Sequence, residues 1–138
     1  MRIVLDTNVI VSGLLNPEGT PGRVVDLFLA GEITLLVDDR ILAEYRVVLP
    51  RPKFGFEPAD VSDFLDLVEA EAERVAAPPL RLALKDEADR PFVEVAVASG
   101  ADFLVTGNVR HFTALRLGES RLASPAEFLS EWNRARER

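Results

Sequence analysis

Three apolar runs in this chain show no polar alternation, and each stops against polar residues. Ile3, Val4 and Leu5 run into Asp6, Thr7 and Asn8; the run from Ile33 to Val37 ends in Asp38 and Asp39; Phe103, Leu104 and Val105 lead to Thr106, Gly107 and Asn108. A short continuous apolar run suits a strand covered on both faces, as in the middle of a parallel sheet. A buried strand that ends in a carboxylate therefore calls for a reason.

The intervening segments carry a different period. "NVIVSGLLN" follows the first run, and then Val24, Val25, Leu27, Phe28 and Leu29 precede Gly31, a plausible helix end. Ile41, Leu42, Tyr45, Val48 and Leu49 share a helical face that Pro50 and Pro52 close. The clearest helix covers 60–75, with Val61, Phe64, Leu65, Val68 and Ala72 at i, i+3, i+4, i+7 and i+11. The segment 76–84, "AAPPLRLAL", reads as a break followed by a short edge strand. Residues 90–100 are apolar nearly all round except Glu94, which predicts a buried helix. "SRLAS" at 120–124 is a further strand candidate. Ser124, Pro125 and Glu127 form the start signature of a last helix.

Strands alternating with helices predict an α/β fold: a mostly parallel sheet of four to five strands with helices on both faces. The 138 residues suit one domain, residues 1–138, with one core. Cysteine is absent, which excludes disulfides, thiolate metal sites and thiol nucleophiles and fits a reducing compartment. The first apolar run stops at Asp6, too early for a signal-peptide core, and no run approaches the ~18 apolar residues of a membrane span. A cytoplasmic protein without membrane contact is the expectation.

In open parallel sheets the site lies beyond the carboxyl ends of the strands. That edge should collect Asp6, Asp38, Asp39, Glu44, Thr106 and Asn108, with Asp86 and Asp89 at the entrance to the buried helix. Each has an ordinary structural alternative. Asp6 and Asp89 could cap helices, Glu44 could be a solvated flank residue, and Asn108 could serve the "TGN" turn. Together they make a different case. Crowded carboxylates raise one another's pKa, and a divalent cation relieves the repulsion. Carboxylate and amide oxygens suit Mg²⁺ or Mn²⁺ rather than zinc, and only one histidine is available for a softer site. The chemistry such a site predicts is attack of a metal-activated water on a phosphodiester.

The stretches "VLDTNVIVSGLL", "LAEYRVVL", "DEADRPFVEVAVASGADFLVTGN" and "VRHF" together resemble the PIN-domain family. The branch they resemble most is the toxins of prokaryotic toxin–antitoxin systems, related to VapC-type ribonucleases. The resemblance runs from Arg2 to about Phe128. It implies a three-layer α/β/α sandwich with a five-stranded parallel sheet, and a metal-dependent ribonuclease, an endoribonuclease acting as a toxin. It implies Asp6, Glu44 and Asp89 as metal-binding and catalytic acids, Asp86 as an alternative or supporting acid, and Asn8 and Thr106 as flanking polar groups. The family often has a fourth acid where this chain has Asn108, a departure that removes one negative charge. The resemblance also implies a homodimer and a small inhibitory antitoxin.

The net charge of −7 sits awkwardly with an RNA substrate, since nucleic-acid binders usually carry a basic face. Local cations are the expected answer. Arg46, Arg51 and Lys53, followed by Phe54 and Phe56, could form a basic lip with stacking surfaces, or a loop whose aromatics pack on the core. Arg110 follows Asn108 and could reach a phosphate; His111 is expected in a turn or packing role. Two other classes remain open. A phosphatase with Asp6 as nucleophile lacks the usual second acid two residues on, where Asn8 stands. A catalytically weak RNA- or antitoxin-binding module would fit Asn108.

Overall fold

The computed structural model describes residues 1–137, which form a five-stranded, wholly parallel sheet and six α-helices. In chain order these are β1 (Arg2–Leu5), α1 (Thr7–Leu15), α2 (Thr20–Leu29), β2 (Thr34–Val37), α3 (Asp39–Val48), α4 (Pro58–Glu71), β3 (Glu73–Arg74), α5 (Arg90–Ser99), β4 (Phe103–Val105), β5 (Arg121–Ala123) and α6 (Pro125–Arg136). The strand order is β3-β2-β1-β4-β5. Ile3 lies opposite Leu35 on one side and Phe103 on the other, so β1 is the central strand. Its Ile3, Val4 and Leu5 are buried, as the unbroken apolar run requires. The fold is the three-layer α/β/α sandwich.

α5 lies across β1, β2 and β4, while α6 packs on α2 and against β4 and β5. α2 starts against the loop that precedes it through Gly22: a Cβ there would stand 2.2 Å from the Pro17 carbonyl oxygen, so only glycine admits this approach. The last helix starts as its sequence dictates. Ser124 Oγ accepts from the Glu127 amide at 3.1 Å, and the Glu127 carboxylate accepts from the Ser124 amide at 2.9 Å. Among the described residues no helix is long and apolar enough to cross a membrane.

The edge strand differs from the expectation. It is Glu73–Arg74, within the stretch whose period predicts helix, and α4 ends at Glu71. Pairing with Leu36 and Val37 wins over helix propensity there, helped by ion pairs from Glu73 to Arg2 and from Arg74 to Asp39. Residues 76–84 form no strand. Side chains bind that segment's backbone instead: Glu94 accepts from the Leu80 amide, and Arg90 donates to the carbonyls of Leu80 and Leu82. Glu94 is thus the buried charge that fastens the strap to α5. Arg40 pairs with the same carboxylate at 2.7 Å and ties in the start of α3.

Candidate functional site

From β1 the chain first winds outward to β2 and β3, then returns to the other side of β1 as β4. The carboxyl ends of β1 and β4 therefore border the point where the winding reverses, the crevice in which open α/β sheets hold ligands. Asp6 and Thr106 are the residues that follow those two strands. The Asp6 amide donates to the Val105 carbonyl, and Thr106 Oγ1 donates to Asp6 Oδ2 at 2.7 Å. Both side chains are buried, and with Thr7 they make three of the five buried polar or charged residues described. Buried polar groups concentrated at one sheet edge mark a site rather than scattered core exceptions.

Asp6 occupies the N-cap position of α1, but its side chain makes no cap hydrogen bond. Its carboxyl is pushed up from 3.8 to about 6. Burial is the largest cause, opposed by the Thr106 hydroxyl; the charges of Asp89 and Glu44 then add to the rise. The three acids are thus electrostatic neighbours although they come from distant parts of the chain, Asp6 just before α1, Glu44 within α3 and Asp89 just before α5.

α3 brings Glu44 into place through the next residue. Tyr45 is fully buried, and its hydroxyl donates to the Leu5 carbonyl at 2.5 Å, which clamps α3 onto the end of β1. Glu44, half-buried, accepts a hydrogen bond from the Thr7 hydroxyl. Asp89 stands at the start of α5, again with no side-chain cap bond. Its Oδ2 lies 3.4 Å from His111 Nδ1. Burial and the charge of Asp86 raise the Asp89 carboxyl, and His111 opposes them. Each acid therefore has its own orienting partner: Thr106 for Asp6, Thr7 for Glu44 and His111 for Asp89.

The flanking residues divide by role. Asn8 Oδ1 accepts from the Gly107 amide at 3.1 Å and ties α1 to the loop after β4. The Asn108 amide donates to Thr106 Oγ1 at 3.0 Å, while its side chain is exposed. Asp86 caps the Ala88 amide at 3.0 Å. Asp38 and Asp39 do not join the acids: Asp38 caps Ile41 and pairs with Arg40, and Asp39 pairs with Arg74. On the expected lip, Arg46 pairs with Glu69, Phe54 stacks on Phe56 with centroids 5.7 Å apart, and Lys53 lies over Phe54. Among the described residues neither Arg46, Arg51 nor Lys53 bonds to Asp6, Glu44 or Asp89. Thr7 and Tyr45 escape a sequence reading. Thr7 sits between two residues that attract notice, and Tyr45 fits its apolar stripe.

The donor set suits a hard divalent cation: carboxylate, amide and hydroxyl oxygens, with no sulfur. Among the described residues no three His, Asp or Glu side chains converge closely enough to chelate an ion by themselves. Mg²⁺ asks less than that, because it keeps several waters and takes one or two carboxylates.

A family model of the PIN domain matches residues 2–110. The chain belongs to the PIN-domain family. That family is one of nucleases, which are hydrolases, and its members generally use divalent metal ions. An uncharacterized protein of Methanocaldococcus jannaschii is 30% identical to this PIN domain over 111 residues, covering 78% of this chain and 71% of its own length. A chain in the crystal structure of VapBC2 from Rickettsia felis, bound to a DNA fragment from its promoter, superposes with a TM-score of 0.58. The match covers 88% of this chain and 98% of that one, at 22% identity, and so speaks to the fold.

Proposed function

We propose that this chain is a metal-dependent endoribonuclease and the toxin of a toxin–antitoxin pair, folded as one domain over residues 1–138. The observation that carries the reading is Asp6: a buried carboxylate at the switch point, raised to about 6 and facing the charges of Asp89 and Glu44. A protein keeps so costly an arrangement where a ligand repays it. Asp6, Glu44 and Asp89 would hold Mg²⁺ or Mn²⁺ together with its waters, one or two of the carboxylates directly and the remainder through water. The ion would neutralise the carboxylates and a substrate phosphate and acidify an attacking water. The chain's own part is orientation. Thr106 fixes the Asp6 oxygens, Thr7 fixes Glu44 and His111 fixes Asp89. Asn8 holds the loop after β4 against α1, the Asn108 backbone amide closes that loop on Thr106, and Asp86 steadies the turn that carries Asp89. Arg110 is a phosphate contact, and Arg46, Arg51 and Lys53 are candidate contacts further along the strand.

The PIN-domain membership supports nuclease chemistry. The chain of similar fold belongs to a VapBC2 complex, which supports an antitoxin partner; the partner's small size, a homodimer and a cytoplasmic setting are parts of the same proposal. The test is cleavage of a structured RNA pool, beside single-stranded DNA, with Mg²⁺, Mn²⁺ or EDTA. RNA cleavage with either ion, abolished by EDTA, is the expected result. Cleavage that persists in EDTA would refute the metal-dependent reading. One observation favours a second reading, a weakly active binding module: Asn108 supplies an amide where the family often has an acid. Tight divalent-ion binding without cleavage of any RNA would select it.

A further inference from the structure

Beside the acids lies a cleft of about 530 Å³, lined by Lys85, Gly107, Asn108, Val109, Arg110 and His111. Its volume falls within the ~300–1,000 Å³ of ordinary ligand sites. Three of its lining residues are basic and none is acidic. In a chain of net charge −7 that composition is against the average. Neither Lys85 nor Arg110 has an ion-pair partner among the described residues, whereas Arg40, Arg46, Arg74 and Arg90 are all paired. The nearest acid in sequence, Asp86, turns its carboxylate to the Ala88 amide.

The cleft adjoins the acids by two short links. His111, in its wall, lies 3.4 Å from Asp89. Asn108, also in its wall, is held by Thr106 Oγ1, whose proton goes to Asp6. Gly107 adds no side chain to the opening, and its amide is fixed by Asn8. Two unpaired cations in a concave surface one residue from both Asp6 and Asp89 form a seat for a phosphate next to the reacting one.

We infer that this cleft is a phosphate subsite for single-stranded RNA, in which Lys85 and Arg110 hold the phosphodiester neighbouring the scissile bond. The inference rests on the ribonuclease reading and deepens it. It gives an acidic protein a local, cationic purchase on its substrate, and it makes Lys85 a substrate-binding residue.

The experiment measures binding of a fluorescent single-stranded RNA oligonucleotide by anisotropy in EDTA across a salt series, with cleavage assayed in parallel with Mg²⁺ or Mn²⁺. The native chain is compared with Lys85→Ala, Arg110→Ala and Arg134→Ala; Arg134 lies about 15 Å along α6 from its start. Each cleft variant should weaken binding at low salt and flatten the salt dependence by about 0.7 in log–log slope, the value of one lost contact to a single strand. Between about 50 and 200 mM salt its affinity should then fall about threefold less than that of the native chain. Arg134→Ala should match the native chain. If the native protein cleaves RNA while Lys85→Ala and Arg110→Ala keep native affinity and slope, the subsite is wrong and the nuclease reading stands. Equal loss in Arg134→Ala would also overturn the subsite, by showing diffuse attraction. A native protein that neither binds nor cleaves RNA would overturn both.

Discussion

Replacing Asp6 by asparagine should make the metal-free protein more stable. Raising a carboxyl from 3.8 to about 6 makes its ionised form about 3 kcal/mol less favourable in the fold than in the open chain. Asparagine has the shape of the neutral acid and can still accept from Thr106. It brings an amide group with no partner at hand, which costs about 1 kcal/mol. The net gain near neutral pH is about 2 kcal/mol, or about 6–8 °C in Tm for a chain of this size. The pH dependence follows from the direction of the shift. The native state holds the Asp6 proton more tightly than the open chain does. The native protein is therefore favoured at low pH, and this contribution is lost as pH climbs from about 4 to about 6. At about pH 4.5 the advantage of Asp6→Asn should have nearly vanished. Thermal unfolding of both proteins in EDTA at the two pH values is the assay. An Asp6→Asn protein less stable than native at neutral pH, or an advantage that does not shrink on acidification, would refute the reasoning.

Substitutions at three other positions test the frame around the site. Glu94→Ala removes the common partner of Arg40, Arg90 and the Leu80 amide, and should cost about 2–3 kcal/mol by urea unfolding. That is below the ~3–5 kcal/mol of a fully buried pair, because both guanidiniums reach water. Burial opposes ionisation of Glu94, but the Leu80 amide and the two arginines hold its carboxyl below the usual range. Its stabilisation is thus present above about pH 4.5 and lost on acidification, so Glu94→Gln should flatten the acid limb of the stability curve. Tyr45→Phe strips the donor from the Leu5 carbonyl and should cost about 1–2 kcal/mol of stability while lowering kcat more than it raises KM, since Glu44 loses its register on β1. Gly22→Ala forces a methyl against the Pro17 carbonyl and should cost about 3 kcal/mol, read as a lowered urea midpoint.

The sheet is legible in the sequence because its inner strands are buried on both faces. Ile3–Leu5, Leu35–Val37 and Phe103–Val105 have no choice of face and so no alternation to misread. The edge is not legible, for the opposite reason. Glu73 and Arg74 are exposed, continue a helical pattern, and become a strand through partners far away in sequence, Leu36, Val37 and Arg2. The same divide runs through the site. Asp6, Asp89 and Thr106 announce themselves by following strands or opening a helix. Thr7 with Glu44, and His111 with Asp89, are pairings of side chains 37 and 22 positions apart, and only the folded chain brings them together. Asp38 and Asp39 show the converse: carboxylates at a strand end that the fold spends on a cap and an ion pair.

The central claim is that Asp6, Glu44 and Asp89 act as one site. It is tested most directly by RNA cleavage with Asp6→Asn, Glu44→Gln and Asp89→Asn side by side, each shown to be folded by circular dichroism, at one pH and one Mn²⁺ concentration. The account predicts that every one of the three falls by at least about a hundredfold, although they lie on different elements. A folded Glu44→Gln or Asp89→Asn that cleaves at the native rate would contradict it.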